Sequence, residues 1–162
     1  MHDAAWEYIE DVVAEYGPWR SVAEFGARNI NGSVRYLFNA ERYVGVDIAD
    51  GIDVDVVADA ASWSPQERFG CIVCAEVLEH TDVAAAIVAN AGRLLESGGC
   101  FIMTCAGPGR EPHSAIDGAA VRDGEFYRNV DEALLESWLD RAGFAKWLID
   151  HTVEDMRCVA WK

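Results

Sequence analysis

Residues 21–32 read Ser-Val-Ala-Glu-Phe-Gly-Ala-Arg-Asn-Ile-Asn-Gly, an apolar run that ends in an acid and a glycine and continues into a polar turn. A buried parallel strand typically passes into a helix in this way, with a ligand bound above the turn. A plain strand-to-helix connection has the same pattern. The stretch indicates a ligand site only if acids and glycines follow at matching places further along the chain.

The composition is that of a globular domain with a large excess of acid. The chain has 162 residues, 51% of them hydrophobic and 25% charged, and a formal net charge of −15. This length suits one domain, so we expect a single domain over residues 1–162. The acidity would repel a phosphate backbone, so we expect no nucleic-acid partner. No leader-like or membrane-spanning apolar run is present, which indicates a cytoplasmic protein without a membrane partner.

The cysteines are more typical of a reduced protein core than of a metal or redox site. Cys71 and Cys74 have the spacing of a zinc or redox pair, but residues three apart in a strand point to opposite faces of the sheet. No second pair completes a set of four ligands. We therefore predict no metal site and free, buried thiols. The five cysteines are Cys71, Cys74, Cys100, Cys105 and Cys158.

Buried strands alternate with helices along most of the chain. Apolar runs predict strands at residues 21–25, 42–47, 55–59, 71–75 and 100–105. Apolar residues at helical spacing predict helices over residues 4–16, after a cap at Asp3, over 33–38, and from Thr81 or Asp82 to 95. Such alternation predicts an α/β fold, a doubly wound and mostly parallel sheet with helices on both faces. In this fold, ligands bind at the carboxyl ends of the strands.

The last third of the chain predicts a long loop, a helix and a hairpin. Residues 106–128 are polar and rich in glycine and proline. A loop of this length is usually functional, so we place it at the entrance of the ligand site, where a second molecule (the acceptor of a transferred group) would enter. Asp131 caps an amphipathic helix that ends at Gly143. Strands follow at residues 145–149 and 156–161, and their short link predicts an antiparallel pair.

Acids end the predicted strands at the edge where an α/β protein binds its ligand. Glu24 and Gly26 end the first strand, Asp47 the second and Asp59 the third, and Glu76 follows the fourth. A carboxylate at the end of the second strand is the usual partner of a ribose diol. A dinucleotide fingerprint needs two further glycines at the first turn, and this turn lacks them. A ligand without a pyrophosphate fits better.

Five segments, in this order and spacing, resemble those of a known family. They are residues 22–26 (Val-Ala-Glu-Phe-Gly), 43–47 (Tyr-Val-Gly-Val-Asp), 58–60 (Ala-Asp-Ala), 69–80 (ending in Glu-Val-Leu-Glu-His) and 94–99 (Leu-Leu-Glu-Ser-Gly-Gly). On these residues the chain resembles a class I S-adenosylmethionine-dependent methyltransferase. The resemblance implies a seven-stranded sheet of order 3-2-1-4-5-7-6 with an antiparallel last strand. It also implies S-adenosylmethionine as cofactor and S-adenosylhomocysteine as product.

The resemblance assigns roles to the residues at the first three strand ends. Gly26 lets the backbone approach the methionine part of the cofactor, and Glu24 lies near its amino group or orders the turn. Asp47 binds the ribose hydroxyls and Ile48 packs on the adenine. Asp59 accepts a hydrogen bond from the adenine amino group, and Ala60 presents its amide to a ring nitrogen. The cofactor-binding residues implied are Glu24, Phe25, Gly26, Ala27, Arg28, Asp47, Ile48, Asp59, Ala60, Cys74, Ala75 and Glu76.

Two of these assignments concern less regular positions. Cys74 and Ala75, at the end of the fourth strand, offer backbone groups to the methionine amino group. Arg28 stands where the family usually has glycine. It either reaches the methionine carboxylate or fills the turn.

Methyl transfer from a sulfonium depends mainly on alignment, and a base is needed only for a weakly acidic acceptor. The candidate catalytic residues are His80 and His113, although His80 has the alternative of bonding backbone at a helix start. Glu79 is expected to be solvated or to cap the next helix. The expected acceptor is a small molecule. The same fold also allows two alternatives: a non-catalytic S-adenosylmethionine-binding module, and a nicotinamide or nucleotide domain.

Overall fold

The computed structural model describes residues 3–162, which form a seven-stranded sheet with α-helices on both faces. The strands are β1 (Ser21–Phe25), β2 (Arg42–Asp47), β3 (Val56–Val57), β4 (Phe69–Ala75), β5 (Leu95–Ala106), β6 (Lys146–His151) and β7 (Asp155–Trp161). Their order across the sheet is β3-β2-β1-β4-β5-β7-β6. The sheet order predicted from the sequence is confirmed.

The strand directions place one edge of the sheet where a ligand can bind. Strands β3, β2, β1, β4 and β5 are parallel, whereas β7 is antiparallel to both β5 and β6. Phe25, the last residue of β1, pairs with Val46 of β2 and Cys74 of β4. The turns that leave these three strands therefore meet at the same edge.

Three α-helices within residues 3–162 cover the sheet: α1 (Asp3–Tyr16), α2 (Ala84–Leu94) and α3 (Glu132–Ala142). Helix α1 packs on β5 and β7, where Ile9 and Val12 join the core of one face. Helices α2 and α3 pack together over the other face, where Leu135 and Leu139 are fully buried. Because helices cover both faces, the central strands are apolar throughout instead of alternating.

The cysteines behave as their strand positions predict. Cys71 lies in the core under α1, and Cys74 lies in the core under α2 and α3, so the two side chains are on opposite faces. All five cysteines are buried and free.

The helix predicted over residues 33–38 is wrong. Only one turn of 3-10 helix forms, at Arg35–Leu37, and no side chain caps it. A six-residue helix gains too few hydrogen bonds to offset the cost of nucleation. Arg35 instead extends its guanidinium to the Asp53 carbonyl, at 3.0 Å, and to the Asp55 carboxylate, at 2.9 Å.

The second helix starts later than predicted. The Thr81 hydroxyl accepts from the Val83 N–H in a local turn, so neither Thr81 nor Asp82 caps α2, which begins at Ala84. At its other end, the chain passes directly from Leu94 into β5, and the glycines at 98 and 99 lie within that strand. Asp3 lies inside α1, and the residues before it are outside the described part of the chain.

The last helix has the predicted ends. The Asp131 carboxylate accepts from the Leu134 N–H at 2.8 Å, and Gly143 closes the helix with a left-handed φ of 74°. The third strand is shorter than predicted, at Val56–Val57, and the fourth starts earlier, at Phe69.

The half of the sheet that carries β2 and β3 has little cover. Within residues 3–162, the connections that link β1, β2, β3 and β4 contain no α-helix. Ile48, Ile52 and Val57 are accordingly exposed there. No helix in the described range is both long enough and apolar enough to cross a bilayer.

Candidate active site

A cavity of about 840 Å³ lies at the carboxyl ends of β1, β2, β3 and β4. The long loop between β5 and α3 (residues 107–130) forms its other wall, through residues 110–120. The predicted site residues that line it are Glu24, Gly26, Ala27, Arg28, Asp47, Ile48, Asp59, Ala60, Ala75, Glu76, His80 and His113. The fold thus brings residues from four strand ends and the long loop around one space.

The first turn is a close backbone approach that only glycine allows. Gly26 has a φ of 80°, and a Cβ atom there would lie 2.2 Å from a methyl group of Val77. The N–H groups of Gly26 and Ala27 both donate to the Val46 carbonyl, at 2.9 and 3.1 Å. The turn is therefore held against β2 and the β4 turn.

Asp47 ties the end of β2 to this turn. Its Oδ2 accepts from the Arg28 N–H at 3.1 Å, and its Oδ1 accepts from the Ala49 N–H at 2.9 Å. Each oxygen keeps acceptor capacity for a further donor. Ile48, next in the chain, is 77% exposed and lies in the cavity wall.

The Arg28 side chain packs over the turn after β2. A Cβ atom placed at Gly51 would lie 2.9 Å from Arg28 Cγ, so the aliphatic part of the arginine covers Gly51. The residue also lines the cavity. Both interpretations from the sequence, turn filling and ligand contact, are compatible with this position.

The end of β3 is held by α2. Asp59 is exposed, and its Oδ1 accepts from the Ala61 N–H at 2.8 Å. The buried Ala60 accepts at its carbonyl from the Asn90 side-chain amide, at 2.7 Å. These bonds fix Asp59 and Ala60 in the cavity wall.

Glu24 is a buried acid beneath the first turn. It is 5% exposed and accepts from the Tyr43 hydroxyl at 2.8 Å. Burial raises the pKa of Glu24 to about 7, against the opposing effects of the Tyr43 hydrogen bond and the Arg35 charge. Glu24 can therefore change its charge near neutral pH, in response to a ligand that touches it.

The turn after β4 is strained at Glu76. This residue has a φ of 56°, which is uncommon outside glycine. Thr104 of β5 holds it, because the Glu76 N–H donates to the Thr104 carbonyl at 2.9 Å and Glu76 Oε1 accepts from the Thr104 hydroxyl at 2.8 Å. Glu76 lines the cavity, and its bonds to Thr104 hold the turn after β4 in place.

Two predicted cofactor residues, Phe25 and Cys74, do not line the cavity. Both are fully buried. Phe25 packs edge-on against Trp63, with ring centroids 6.2 Å apart. The alternation of side chains along a strand turns both residues into the core under α2.

His80, His113 and Tyr127 form an aromatic cluster at the base of the long loop. Their ring centroids are 5.0 Å apart for His80 and His113, 5.5 Å for His80 and Tyr127, and 5.1 Å for His113 and Tyr127. The His80 main-chain N–H donates to the Val77 carbonyl in the 3-10 turn. Burial, with His113 nearby, lowers the pKa of His80 to about 4, so its ring is neutral at neutral pH.

The solvated or capping role predicted for Glu79 is wrong. The side chain is fully buried, and its Oε1 accepts from the Ala106 N–H at 3.1 Å. Its carbonyl accepts from the Arg128 N–H at 2.8 Å, which joins the β4 turn to the end of the long loop. Burial and the Glu76 charge raise the pKa of Glu79 to about 8.

The sequence did not identify most of the long loop's contribution to the cavity wall. The Asn129 amide donates to the Gly107 and Arg110 carbonyls, and the Ser114 hydroxyl donates to Glu125 at 2.7 Å. These bonds fold the loop on itself, so that residues 110–120 face the strand ends. Side chains of this type occur in most loops, and only the loop's length indicated a function.

The sequence matches the profile of a methyltransferase domain over residues 19–149. The chain belongs to this methyltransferase family. None of the curated protein sequences matches this methyltransferase. The family and the seven-stranded class I fold predicted from the sequence are both confirmed.

Several solved structures share the fold of this methyltransferase. The N-terminal domain of EvdMO1, crystallised in the presence of S-adenosylhomocysteine and D-fucose, is 17% identical with a TM-score of 0.73, covering 99% of this chain and 83% of that one. A 1,6-didemethyltoxoflavin-N1-methyltransferase from Burkholderia thailandensis, with its substrate and S-adenosylhomocysteine, is 18% identical with a TM-score of 0.71, covering 98% and 78%. CalS10, an amino pentose methyltransferase from Micromonospora echinaspora bound to S-adenosylmethionine, is 14% identical with a TM-score of 0.69, covering 99% and 90%.

Proposed function

We propose that this methyltransferase binds S-adenosylmethionine at the strand ends and transfers its methyl group to a small-molecule acceptor, releasing S-adenosylhomocysteine. The observation that carries the proposal is the convergence of Gly26 and Asp47 on one cavity in a member of this family. Solved structures of the same fold contain S-adenosylhomocysteine or S-adenosylmethionine, which supports the choice of cofactor.

The chain's own groups suit the parts of this cofactor. The Gly26 turn, which has no room for a side chain, admits the methionine part to the backbone. Asp47 has unused acceptor capacity on both oxygens and takes the ribose hydroxyls. The exposed Ile48 face and the Asp59–Ala60 corner bound the space for the adenine.

The charge at the strand ends suits a cationic ligand. Glu24, Asp47, Asp59 and Glu76 all line the cavity, and a sulfonium and an ammonium group would both be attracted to this negative field. The same field disfavours phosphorylated ligands, including a dinucleotide. This preference supports S-adenosylmethionine over the nicotinamide alternative.

The bound cofactor supplies an electrophilic methyl group, whose bond to sulfur breaks as the bond to the acceptor forms, leaving a neutral thioether. The protein's main task is to align the two molecules and exclude water. Residues 110–120 of the long loop close one side of the cavity and serve that task. The acceptor's proton, where it has one, leaves to solvent, and His113, the histidine at the loop side, faces the acceptor.

The acceptor side of the cavity suits a small molecule. Two of the solved structures with this fold are named for small acceptors, a toxoflavin precursor and an amino pentose. The long loop leaves no extended basic groove for a polymer, since the cavity wall that it forms includes Glu111 and Asp117 as well as Arg110. We therefore assign a low-molecular-weight, uncharged or cationic acceptor. Separately, the five free, buried cysteines are typical of a reducing compartment and support a cytoplasmic location.

Calorimetry with S-adenosylmethionine, S-adenosylhomocysteine and NADH tests the proposal directly. We expect micromolar binding of the first two and no heat with NADH. Asp47→Ala should weaken both, while Asp50→Ala, a change in an exposed acid of the same turn that does not line the cavity, should not. Tight binding of NADH, or equal effects of the two substitutions, would refute the cofactor assignment.

Turnover is tested separately from binding. A screen of amines, hydroxylated aromatics and sugars with S-adenosylmethionine, read out by S-adenosylhomocysteine release, should find at least one acceptor. Cofactor binding without release on any acceptor would favour the non-catalytic binding module.

A further inference from the structure

Glu79, His80 and His113 form a cluster of metal-ligating groups outside the proposed cofactor contacts. Each offers one ligand atom, and the three atoms all lie within 4.8 Å of one another. His80 and His113 line the cavity, and Glu79 is buried behind them. The cluster uses none of the cysteines, on which the prediction of no metal site was based.

Two of the ligand groups carry atoms with unmet hydrogen-bonding capacity. Among the described residues, Glu79 Oε2 and His80 Nδ1 are buried without a hydrogen-bond partner. A buried polar atom without a partner destabilises the fold, so a cation that binds both atoms would be stabilising. Glu79 Oε1 is already used by the Ala106 N–H, so the carboxylate is held with its second oxygen free.

His113 is oriented as metal-bound histidines usually are. Its Nδ1 lies 3.0 Å from the Glu111 carbonyl, and the bond requires that Nδ1 carry the proton and donate it. Its Nε2 is then the acceptor nitrogen. A backbone carbonyl on the far ring nitrogen is the common way in which a protein fixes the tautomer of a histidine ligand.

We propose that Glu79, His80 and His113 bind one divalent transition-metal cation at the acceptor side of the cavity. One carboxylate and two imidazoles favour Zn²⁺, Co²⁺ or Mn²⁺ over Mg²⁺ and Ca²⁺, which prefer oxygen ligands. Bonds of about 2.0–2.2 Å place ligand atoms roughly 3–3.5 Å apart, so ligand atoms as far apart as 4.8 Å must approach each other by roughly 1.3–1.8 Å. His113 lies in the long loop, outside any helix or strand, and can make that movement.

Three protein ligands leave coordination positions open, which is typical of catalytic sites and not of structural ones. Because both histidines line the cavity, the open positions face the space assigned to the acceptor. This step alone depends on the proposed function. If that function holds, the cation would bind an acceptor oxygen and lower the pKa of the acceptor's hydroxyl group. The acceptor class would then be a molecule with a hydroxyl group that the cation can bind.

Cobalt titration of the metal-free full-length protein tests the site without any enzymatic assay. We expect visible d–d absorption bands that saturate at one Co²⁺ per chain and disappear on addition of one equivalent of Zn²⁺. The melting temperature should rise in parallel. Strong near-ultraviolet thiolate charge-transfer bands would mean that the cysteines bind the metal instead, which would overturn the proposal.

Substitutions locate the cation. Glu79→Gln, which keeps the acceptor oxygen for the Ala106 N–H, and His113→Ala should each weaken Co²⁺ binding at least tenfold. His151→Ala is the matched control, because His151 is exposed and its ring contacts the exposed Glu132 carboxylate. Equal Co²⁺ affinity in all four proteins, or binding lost equally in the control, would refute the site.

The two proposals fail in distinguishable ways. Calorimetry with S-adenosylmethionine on the metal-free protein reports the cofactor site, and cobalt binding without S-adenosylmethionine reports the cation site. Cobalt binding that survives in Glu79→Gln while S-adenosylmethionine binds normally would reject the cation site alone.

Discussion

The affinity for S-adenosylmethionine should depend on pH through Glu24. This carboxyl lies beneath the Gly26 turn, where the amino group of the methionine part is proposed to bind. Burial raises its pKa to about 7. A bound ammonium would favour the ionised form, so binding should release a proton from Glu24 at pH values below its pKa in the free protein.

The size of the effect follows from the ionised fraction. With a pKa of about 7, Glu24 is about one tenth ionised at pH 6 and about nine tenths ionised at pH 8. If the cofactor requires the carboxylate, its affinity should rise about tenfold across this range, or about 1.4 kcal/mol. The charges of the neighbours Arg35, Asp47 and Asp53 contribute to this pKa of Glu24.

The ligand contributes a second titration, because an α-amino group has a pKa of about 7.7–8.0. When the amino group of the ligand loses its charge, binding to the acidic site should weaken, and this should be seen above pH 8. The wild-type profile is therefore expected to rise to a maximum between pH 7 and 8 and then fall. Glu24→Gln, which keeps an acceptor for the Tyr43 hydroxyl, should retain only the falling part.

Isothermal calorimetry at pH 6, 7, 8 and 9 measures the affinity over both the rising and the falling part of this profile. Repeating each titration in buffers of different ionisation enthalpy gives the number of protons released. We expect up to one proton released at pH 6 for the wild-type protein, and that release should be absent in Glu24→Gln. Identical pH profiles for the two proteins would show that Glu24 does not face the cofactor.

Four further results are expected. In the absence of ligand, stability should fall as pH rises from 4.5 to about 7, because the folded protein holds the Glu24 proton more tightly than the unfolded chain. Glu24 contributes about 3 kcal/mol to the loss in urea unfolding, buried Glu79 adds to the loss in the same direction, and Glu24→Gln should remove only the Glu24 part. Asp47→Ala should weaken S-adenosylmethionine by about 1.5–3 kcal/mol, and unchanged calorimetric affinity would exclude its ribose role. Gly26→Ala should destabilise by about 1–2 kcal/mol from its φ and about 1–3 kcal/mol from overlap with Val77, with only the second part restored in Gly26→Ala/Val77→Ala. His113→Ala should slow turnover while leaving S-adenosylmethionine affinity within about twofold, and a large loss of affinity would place His113 in the cofactor site.

The strands could be predicted because their sequence signal is strong and local. Continuous apolar runs bounded by glycine or acid mark buried parallel strands, and the short link before Asp155 allows only an antiparallel pair. The helix predicted over residues 33–38 failed because a short apolar pattern cannot show whether a helix has enough turns to nucleate. Arg35 instead donates hydrogen bonds to Asp53 and Asp55, in the turn before β3. These partners are 18 and 20 positions away along the chain.

The cofactor side and the acceptor side of the cavity differ in how far the sequence can describe them. Gly26 follows β1 directly, Asp47 is the last residue of β2 and Asp59 lies two residues after β3, so the strand order fixes their place. The side chains of Phe25 and Cys74 lie in the core, because side chains alternate between faces along a strand. Any contact of these two residues with the cofactor would therefore be made by their backbone groups.

The acceptor side depends on contacts that no local pattern records. His113 meets His80 only because the long loop folds back through Asn129 and because Arg128 bonds the Glu79 carbonyl, a pairing across 49 positions. Glu79 is buried for the same reason, because the long loop returns to the turn after β4. The local sequence of Glu79, a short helical turn, would by itself predict an exposed side chain. The cofactor half of the site is thus set by strand ends, and the acceptor half by how the loop returns to the β4 turn. Substrate choice within this fold should therefore vary with the long loop, while the strand-end residues can stay the same.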